Sequence, residues 1–531
     1  MPTVFLSPRL QGRRRLWTRL PVLFVLASLF LFSGGAAGVS AASAQSPLSA
    51  QVTINHSFLG LIPKTAFGVN DAVWDGNLLD SNLPGLLAAD GVKMMRYPGG
   101  STSDVYHWQD NSVVPNMSYA NPNNTFDAFM GVVHATGAQA MITVNYGSGT
   151  PQEAANWVQY ANRGGPNYTG PVPTYPGASS TGHRYGIKYW EIGNEIYGNG
   201  TYGADWEYDL NGQGPTVYAN NVVSYSKAMK AVDPSIKIGV VLTAPGNWPD
   251  GQTSATSPQP WNNTVLPIAC SSIDFVVVHW YPQGPTGETD AGLLAAPRNG
   301  ESTSVSYTPS IPDMMATLRS EISQYCGKHA DDVKIMVTET NSVSYNTGKQ
   351  TVSLVNALYL AEDYMTWLEN GAANVDWWDV HNGAVGGNNN SSSLYGDAQY
   401  GDYGMLSNGS CASAGICEPA AETPFPPYYG LQMLTKLAHP GDIMIGASSN
   451  QSLISAFAVV NREGTLSILL VNTDPNNSYD VTFPGIGTHF GARISFYGEN
   501  STAITTQVVH HFSDQVLPPY SLTTITLTPE L

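Results

Sequence analysis

The run Glu191-Ile192-Gly193-Asn194-Glu195-Ile196 carries the chain's most telling chemistry. It closes an apolar segment, Ile187-Lys188-Tyr189-Trp190, with the composition of a buried β-strand, so Asn194 and Glu195 fall at a strand end. A second carboxylate, Glu339, closes another such segment, Val333-Lys334-Ile335-Met336-Val337-Thr338. Two strand-end carboxylates in an aromatic-rich chain point to cleavage of a glycosidic bond. That reaction asks one carboxyl to protonate the leaving oxygen, and another to attack the anomeric carbon or to activate water. Glu195 is the expected general acid and base; Glu339 is the expected nucleophile.

Each role sets requirements on the neighbours. A carboxyl that must hold a proton needs apolar surroundings, and Trp190, Tyr197 and Trp206 lie nearby in sequence. Asn194 is placed to hydrogen-bond the sugar 2-hydroxyl, a contact that strengthens as the oxocarbenium-like state forms. A nucleophile that must stay ionised needs donors, and Arg96 and Tyr281 are the candidates. His279 opens the run His279-Trp280-Tyr281-Pro282 and belongs to the same site. Asn145, Tyr146 and Trp378 complete the expected substrate contacts, with Tyr146, Trp280, Trp377 and Trp378 as possible stacking faces for sugar. No His/Asp/Glu cluster has metal-ligand spacing, no glycine-rich loop reads as a phosphate cradle, and no G-x-S-x-G suggests an esterase. No metal and no cofactor are expected.

Elements that could position these residues recur along the chain. Short apolar runs occupy 66–70, 92–97, 139–145, 187–192, 236–242, 273–279, 333–338 and 374–380, and several are nearly continuous in Val, Ile and Met. That is the pattern of strands buried on both faces. Helical patterns lie between them at 83–90, 151–163, 216–232, 311–325 and 352–368. Eight strands alternating with helices predict an α/β fold, a (β/α)8 TIM barrel whose active site lies at the strand C-termini. Glu195 then follows strand four and Glu339 ends strand seven. After Pro440 the pattern becomes β-rich, with segments separated by Asn, Gly and Pro, and predicts a β-sandwich. Residues 384–427, rich in Gly, Asn, Ser and Pro, read as a long loop over the barrel mouth. The expected domains are residues 1–44 as an export signal, 45–65 as strand joining the β-sandwich, 66–438 as barrel and 439–531 as β-sandwich.

The export reading rests on a basic stretch with Arg9, Arg13, Arg14, Arg15 and Arg19, an apolar stretch at 20–32 too short to span a bilayer, and Ala42-Ser43-Ala44 as a cleavage site. Removing that segment leaves 17 basic against 40 acidic side chains, a net charge of −23. Such a field repels nucleic acid and anionic surfaces and fits a neutral oligo- or polysaccharide in an acidic medium. No second apolar stretch is long enough to span a membrane, so a secreted or periplasmic protein, detached from the membrane after signal cleavage, is expected. Four cysteines after an export signal favour two disulfides, read here as Cys270–Cys326 and Cys411–Cys417.

Taken together these residues resemble clan A glycoside hydrolases, barrel enzymes with acid/base and nucleophile glutamates at the ends of strands four and seven. Arg96-Tyr97-Pro98-Gly99-Gly100, followed by Tyr106-His107-Trp108, is similar to the strand-two signature of family 51, the α-L-arabinofuranosidases with some endoglucanases. The segment from Val144 through Gly149-Thr150-Pro151-Gln152-Glu153 to Tyr160 resembles that family's strand-three loop and helix, and Leu517-Pro518-Pro519-Tyr520-Ser521 resembles the end of its C-terminal domain. The resemblance implies a retaining mechanism, with Glu195 as acid/base, Glu339 as nucleophile, and Asn194, His279 and Tyr281 lining the sugar site. Three features depart from it. Asn70-Asp71 stands where the family usually carries a sugar-binding Glu. Thr338-Glu339-Thr340-Asn341-Ser342 is closer to families 30, 39 and 79. The strand-eight run Asp376-Trp377-Trp378-Asp379-Val380-His381-Asn382 lacks the usual pattern. The expected activity is release of α-L-arabinofuranosyl residues from plant-type polysaccharide by double displacement. A β-glycanase or β-glycosidase of the same clan, of endoglucanase, xylosidase or glucuronidase type, is the alternative. A non-catalytic carbohydrate-binding protein is a more remote one.

Overall fold

Each of the eight apolar runs forms a parallel strand, and together they close a barrel in chain order. Strands one to four are Thr65–Asn70, Met94–Tyr97, Gln139–Val144 and Tyr189–Ile192. Strands five to eight are Lys237–Val241, Phe275–Trp280, Lys334–Thr340 and Asn374–Trp377. This architecture is that of a computed structural model describing residues 46–529 other than 199–213, 248, 252–259, 303–306, 387, 413–414 and 487–489. The expected export signal and Trp206 lie outside the described residues.

The two-residue period of a strand sorts its side chains into two environments. Met95, Ile142, Trp190, Val276, Ile335 and Val375 face outward into one continuous core with the surrounding helices. Side chains of the opposite phase fill the interior. At the N-terminal end of the strands Met94, Met141, Phe275, Val277 and Met336 pack together as an apolar plug. One step further along, the inward positions become Arg96, Thr143, Glu191, Thr338 and Asp376, all fully buried. The interior thus passes from apolar to polar towards the C-terminal mouth, where a barrel's chemistry belongs.

The helices start and stop where local chemistry dictates. Thr125, Thr150 and Ser310 cap the helices Phe126–Thr136, Pro151–Asn162 and Ile311–Cys326, each side chain accepting from the backbone N–H three residues on. Gly137 closes the first of these with φ of 76°. The helices Trp261–Ala269, Asp290–Asn299 and Pro426–Leu437 are additions to the set expected from periodicity, as is Phe126–Thr136. Among the described residues no helix is long and apolar enough to cross a membrane.

Residues Leu48–Leu61 form one long strand that lies outside the barrel. It pairs antiparallel with Ile443–Ser449 and parallel with Tyr479–Thr482, so it joins both parts of a nine-stranded C-terminal sheet. One face of that sheet encloses its own core of Val52, Ile468, Leu470, Val481, Ile494 and Ile525. The other face packs Phe457, Val459, Leu469 and Leu522 into the barrel's core. Disulfides join Cys270 to Cys326 and Cys411 to Cys417, the pairing expected. The second fastens a turn in the 384–427 segment, which docks on the barrel mouth: the Asn341 side-chain amide donates to Tyr403 O, and the Tyr403 hydroxyl donates to Val343 O.

The interior is rich in acidic groups whose ionisation burial opposes. Asp71, Asp90, Asp363, Asp376, Asp379 and Asp402 are all pushed well above the ordinary aspartate range, chiefly by desolvation. Burial likewise raises Glu301 to about 7 and Glu369 to about 8. A group whose pKa is higher folded than unfolded binds more protons in the native state, so its contribution is present at low pH and is lost as pH rises through the folded value. Thermal unfolding is therefore expected to give a higher Tm at pH 5 than at pH 8. A Tm that stays flat or climbs across that range would contradict this account.

Candidate active site

Arg96 is the hub of the barrel mouth. Its side chain is fully buried and all five N–H groups are engaged. Nε donates to Glu191 Oε2 at 2.7 Å and Nη2 to Glu191 Oε1 at 3.2 Å, a bidentate pair across the barrel. Nη2 also donates to Asn194 Oδ1 at 2.8 Å. Nη1 donates to Asn70 Oδ1 and to Glu339 Oε1, each at 2.9 Å. Burial alone would lower the Arg96 pKa, but Glu191 and Glu339 outweigh it and push it up, so the charge is permanent.

Glu339 reaches this hub through an irregularity in strand seven. Val337 pairs with Val278, yet the next partner of His279 is Glu339, so strand seven advances two residues while strand six advances one. Strict alternation would turn Glu339 outward with Val337. The bulge at Thr338 restores it to the inward face beside His279. There Glu339 Oε2 accepts from the Tyr281 hydroxyl at 2.8 Å while Oε1 accepts from Arg96. Arg96 and Tyr281, the two donors expected for Glu339, both reach its carboxylate. Burial pushes the Glu339 carboxyl up, opposed by His279, Arg96 and Tyr281 and reinforced by Glu195.

Glu195 enters from the other side. Gly193 turns the chain with φ of 75°, and a Cβ there would lie 2.8 Å from both Ile196 Cγ1 and Tyr146 Cβ, so only glycine fits. Glu195 itself has φ of 45°, a left-handed conformation uncommon outside glycine. Buried Asp104 secures the turn: Oδ2 accepts from Asn194 N at 2.8 Å and Oδ1 from Tyr146 N at 3.0 Å. Tyr197 donates its hydroxyl to Glu195 Oε1 at 3.0 Å.

His279 stands between the two glutamates. Its Nδ1 is 2.8 Å from Glu195 Oε1 and 3.4 Å from Glu339 Oε2, and its Nε2 is 3.0 Å from Thr338 Oγ1. Burial pulls its pKa down, but Glu339 and Glu195 together raise it. One ligand-type atom from each of Glu195, His279 and Glu339 lies within 4.8 Å of the others. Spacing along the chain gives no such cluster, but folding assembles one from three separate strand ends.

The remaining expected contacts divide. Trp378 is half-buried, with its ring against Gly100, where a Cβ would lie 2.7 Å from the ring. Trp280 and Trp377 are fully buried and pack in the core, so neither presents a face to substrate. Asn145, expected to contact sugar, spends its amide on the loop: Nδ2 donates to Tyr106 O and Ser148 Oγ, and Oδ1 accepts from the backbone of Ser148 and Gly149. Tyr146 is wholly buried against Tyr218, and its hydroxyl accepts from Asn221. Asn70 ties strand one to Thr338 O and Trp377 O. Sequence reasoning passed over Glu191, Asp104, Thr338 and Tyr403. A charged residue inside an otherwise apolar strand, as Glu191 is, demands a buried partner and was the one available signal. Tyr403 meets Tyr281 edge to face at 6.3 Å, so the 384–427 segment supplies a wall of the site.

Comparison with known proteins gives a consistent picture. No family model matches the chain. It is 28% identical over 201 residues to alpha-L-arabinofuranosidase C of Emericella nidulans, covering 36% of this chain and 38% of that protein. The chain thus matches under two fifths of the length of that curated relative. Among solved structures it superposes on the GH51 α-L-arabinofuranosidase of Thermotoga petrophila with a TM-score of 0.64 at 17% identity, over 90% of this chain and 100% of that one. The fold resembles family 51 glycoside hydrolases. It also matches a Paenibacillus polymyxa xyloglucanase of glycoside hydrolase family 44, with a TM-score of 0.59 at 13% identity, over 91% of this chain and 100% of that one.

Proposed function

We propose that this protein is a secreted retaining glycoside hydrolase that releases α-L-arabinofuranosyl residues from neutral polysaccharide. The carrying observation is the pairing of Glu195 and Glu339 around one imidazole, with carboxylate oxygens within 4.8 Å. Retaining enzymes hold their two carboxyl groups about 5–5.5 Å apart, whereas inverting ones leave about 6.5–9.5 Å for a water. In the first step Glu195 gives its proton to the glycosidic oxygen as that bond breaks, and the Glu339 carboxylate bonds to the anomeric carbon. In the second, Glu195 as carboxylate takes a proton from water, and the water oxygen displaces Glu339. Arg96 and Tyr281 keep Glu339 anionic and aimed, and Asn194, fixed by Arg96 and Asp104, faces the sugar. The sequence kinship with an arabinofuranosidase supports the sugar, and two disulfides suit an oxidising compartment outside the cytosol.

The test is turnover of an aryl α-L-arabinofuranoside, with the anomeric configuration of the first-formed product read by NMR. Retained configuration is expected. A β-glycanase or β-glycosidase activity is the second reading, favoured by Asn70-Asp71 in place of the family glutamate and by the xyloglucanase-like fold. Turnover of an aryl β-glucoside, xyloside or glucuronide, with none of the arabinofuranoside, would select it.

The pH profile follows from Glu339. Its carboxyl must be ionised to attack, and burial raises it above the ordinary glutamate value of 4.5. The acid limb of kcat/KM is therefore expected above pH 4.5. An acid limb at or below that value would show that another group governs it.

A further inference from the structure

We infer that Glu195, His279 and Glu339 also form a binding site for a borderline transition-metal dication of the Zn2+ type, which would occupy the catalytic centre in competition with substrate. The inference rests on geometry and charge and needs no particular sugar.

Three observations carry it. First, the donor set is one imidazole and two carboxylates, the mixture that suits Zn2+ and its neighbours. A tetrahedral ion with bonds of about 2.0–2.1 Å places its ligand atoms roughly 3.3 Å apart. His279 Nδ1 lies 2.8 Å from Glu195 Oε1 and 3.4 Å from Glu339 Oε2, with the third pair within 4.8 Å, so small side-chain shifts suffice. Second, the imidazole has an outer partner that would hold it as a ligand once the ion replaced the Nδ1 proton. Its Nε2 sits 3.0 Å from Thr338 Oγ1, and a proton donated there leaves the Nδ1 lone pair facing the two carboxylates. Metal-bound histidines are held by this kind of outer contact.

Third, the charge balance favours a dication. Arg96 is the nearest permanent cation, but Glu191 engages it with both oxygens through Nε and Nη2 and matches its charge. Burial pushes the carboxyl of Asp376, deeper in the interior, well above the ordinary aspartate range. Arg96 also donates to Glu339 Oε1, but its single charge is shared with Glu191, so ionised Glu191, Glu195 and Glu339 leave two negative charges in excess around the imidazole. One dication would balance these charges and would hold both carboxylates. Glu195 keeps partial exposure, so the ion has a route in and a position open to water.

The test uses the whole protein without substrate. Equilibrium dialysis against ZnCl2 in a non-chelating buffer is expected to give one saturable site, with Zn2+ uptake weakened at least tenfold in both His279→Gln and Glu195→Gln. Circular dichroism checks that each variant is folded. The double variant His510→Gln/His511→Gln, which removes two histidines far along the chain, should bind as the parent does. Mg2+ at equal concentration should not displace the ion, and Co2+ in its place should give the visible absorption of a four-coordinate N/O site. Absence of saturable Zn2+ uptake, or equal uptake in folded His279→Gln and Glu195→Gln, would overturn the inference. So would loss of uptake only in the His510/His511 double variant, which would locate the ion elsewhere. Because no sugar is used, this result is independent of aryl glycoside turnover.

Discussion

Replacing Glu339 by alanine is expected to lower kcat/KM by about 10⁴-fold or more, because the proposed double displacement runs through a covalent bond to this carboxylate. The loss should fall on kcat more than on KM, since Asn194, Trp378 and the walls of the site are untouched. The fold should survive. Arg96 keeps its bidentate partner Glu191 and its bonds to Asn70 and Asn194 when Glu339 is removed, so no buried charge is left alone. The vacated volume lies between Tyr281, His279 and Arg96, beside the face from which the anomeric carbon is attacked. Azide is small and anionic, and the gap keeps the Arg96 Nη1 and Tyr281 hydroxyl donors that Glu339 vacates. With an activated aryl glycoside, added azide should restore turnover and give a glycosyl azide of inverted configuration, the product of a single displacement. Glu339→Ala that keeps more than a few per cent of activity would remove Glu339 from the nucleophile's role, whatever the sugar.

Much of this arrangement was legible before folding because it depends on patterns that survive in one dimension. Strands buried on both faces must be continuously apolar, so all eight barrel strands stood out, and a glutamate after Gly-Asn at a strand end stood out against them. Elements whose cause lies in contacts were harder. The helix Asp290–Asn299 contains Pro297, which argues against a helix by propensity, and it is held instead by packing of Leu293 and Ala296. The helix Phe126–Thr136 did carry a cap at Thr125 and a stop at Gly137, cues present in the sequence but not used. The bulge at Thr338 was illegible, because it is a mismatch in advance between two strands and neither strand alone records it. The loop functions of Asn145 and Tyr146 were misjudged for a related reason. Position at a strand end says that a side chain can reach the mouth, and only the fold says that Asn145 has turned back to bind its own loop. The metal-competent trio was hidden for the same cause, since 84 residues separate Glu195 from His279.

The second large effect concerns Glu195, and its signature should differ in kind from that of Glu339. Glu195→Ala removes the proton donor of the first step and the base of the second. A poor leaving group needs that proton, so natural polysaccharide and alkyl glycosides should lose about 10³-fold or more in kcat/KM. An aryl glycoside with an acidic phenol leaves without help, so its first step should survive and the glycosyl-enzyme on Glu339 should accumulate, visible as a burst of phenol followed by slow turnover. Azide needs no base, and it should attack that intermediate from the face water would use, giving a glycosyl azide of retained configuration. The two variants thus yield opposite anomers from one added anion, because azide replaces the nucleophile in one case and water in the other. The contact between His279 Nδ1 and Glu195 makes a further demand: His279→Gln should cost more kcat/KM on unactivated than on activated leaving groups, without changing which anomer forms. Inverted azide product from Glu195→Ala, or an equal loss on activated and unactivated leaving groups, would mean that Glu195 holds the sugar without moving the proton, and the acid would have to be sought elsewhere on the mouth.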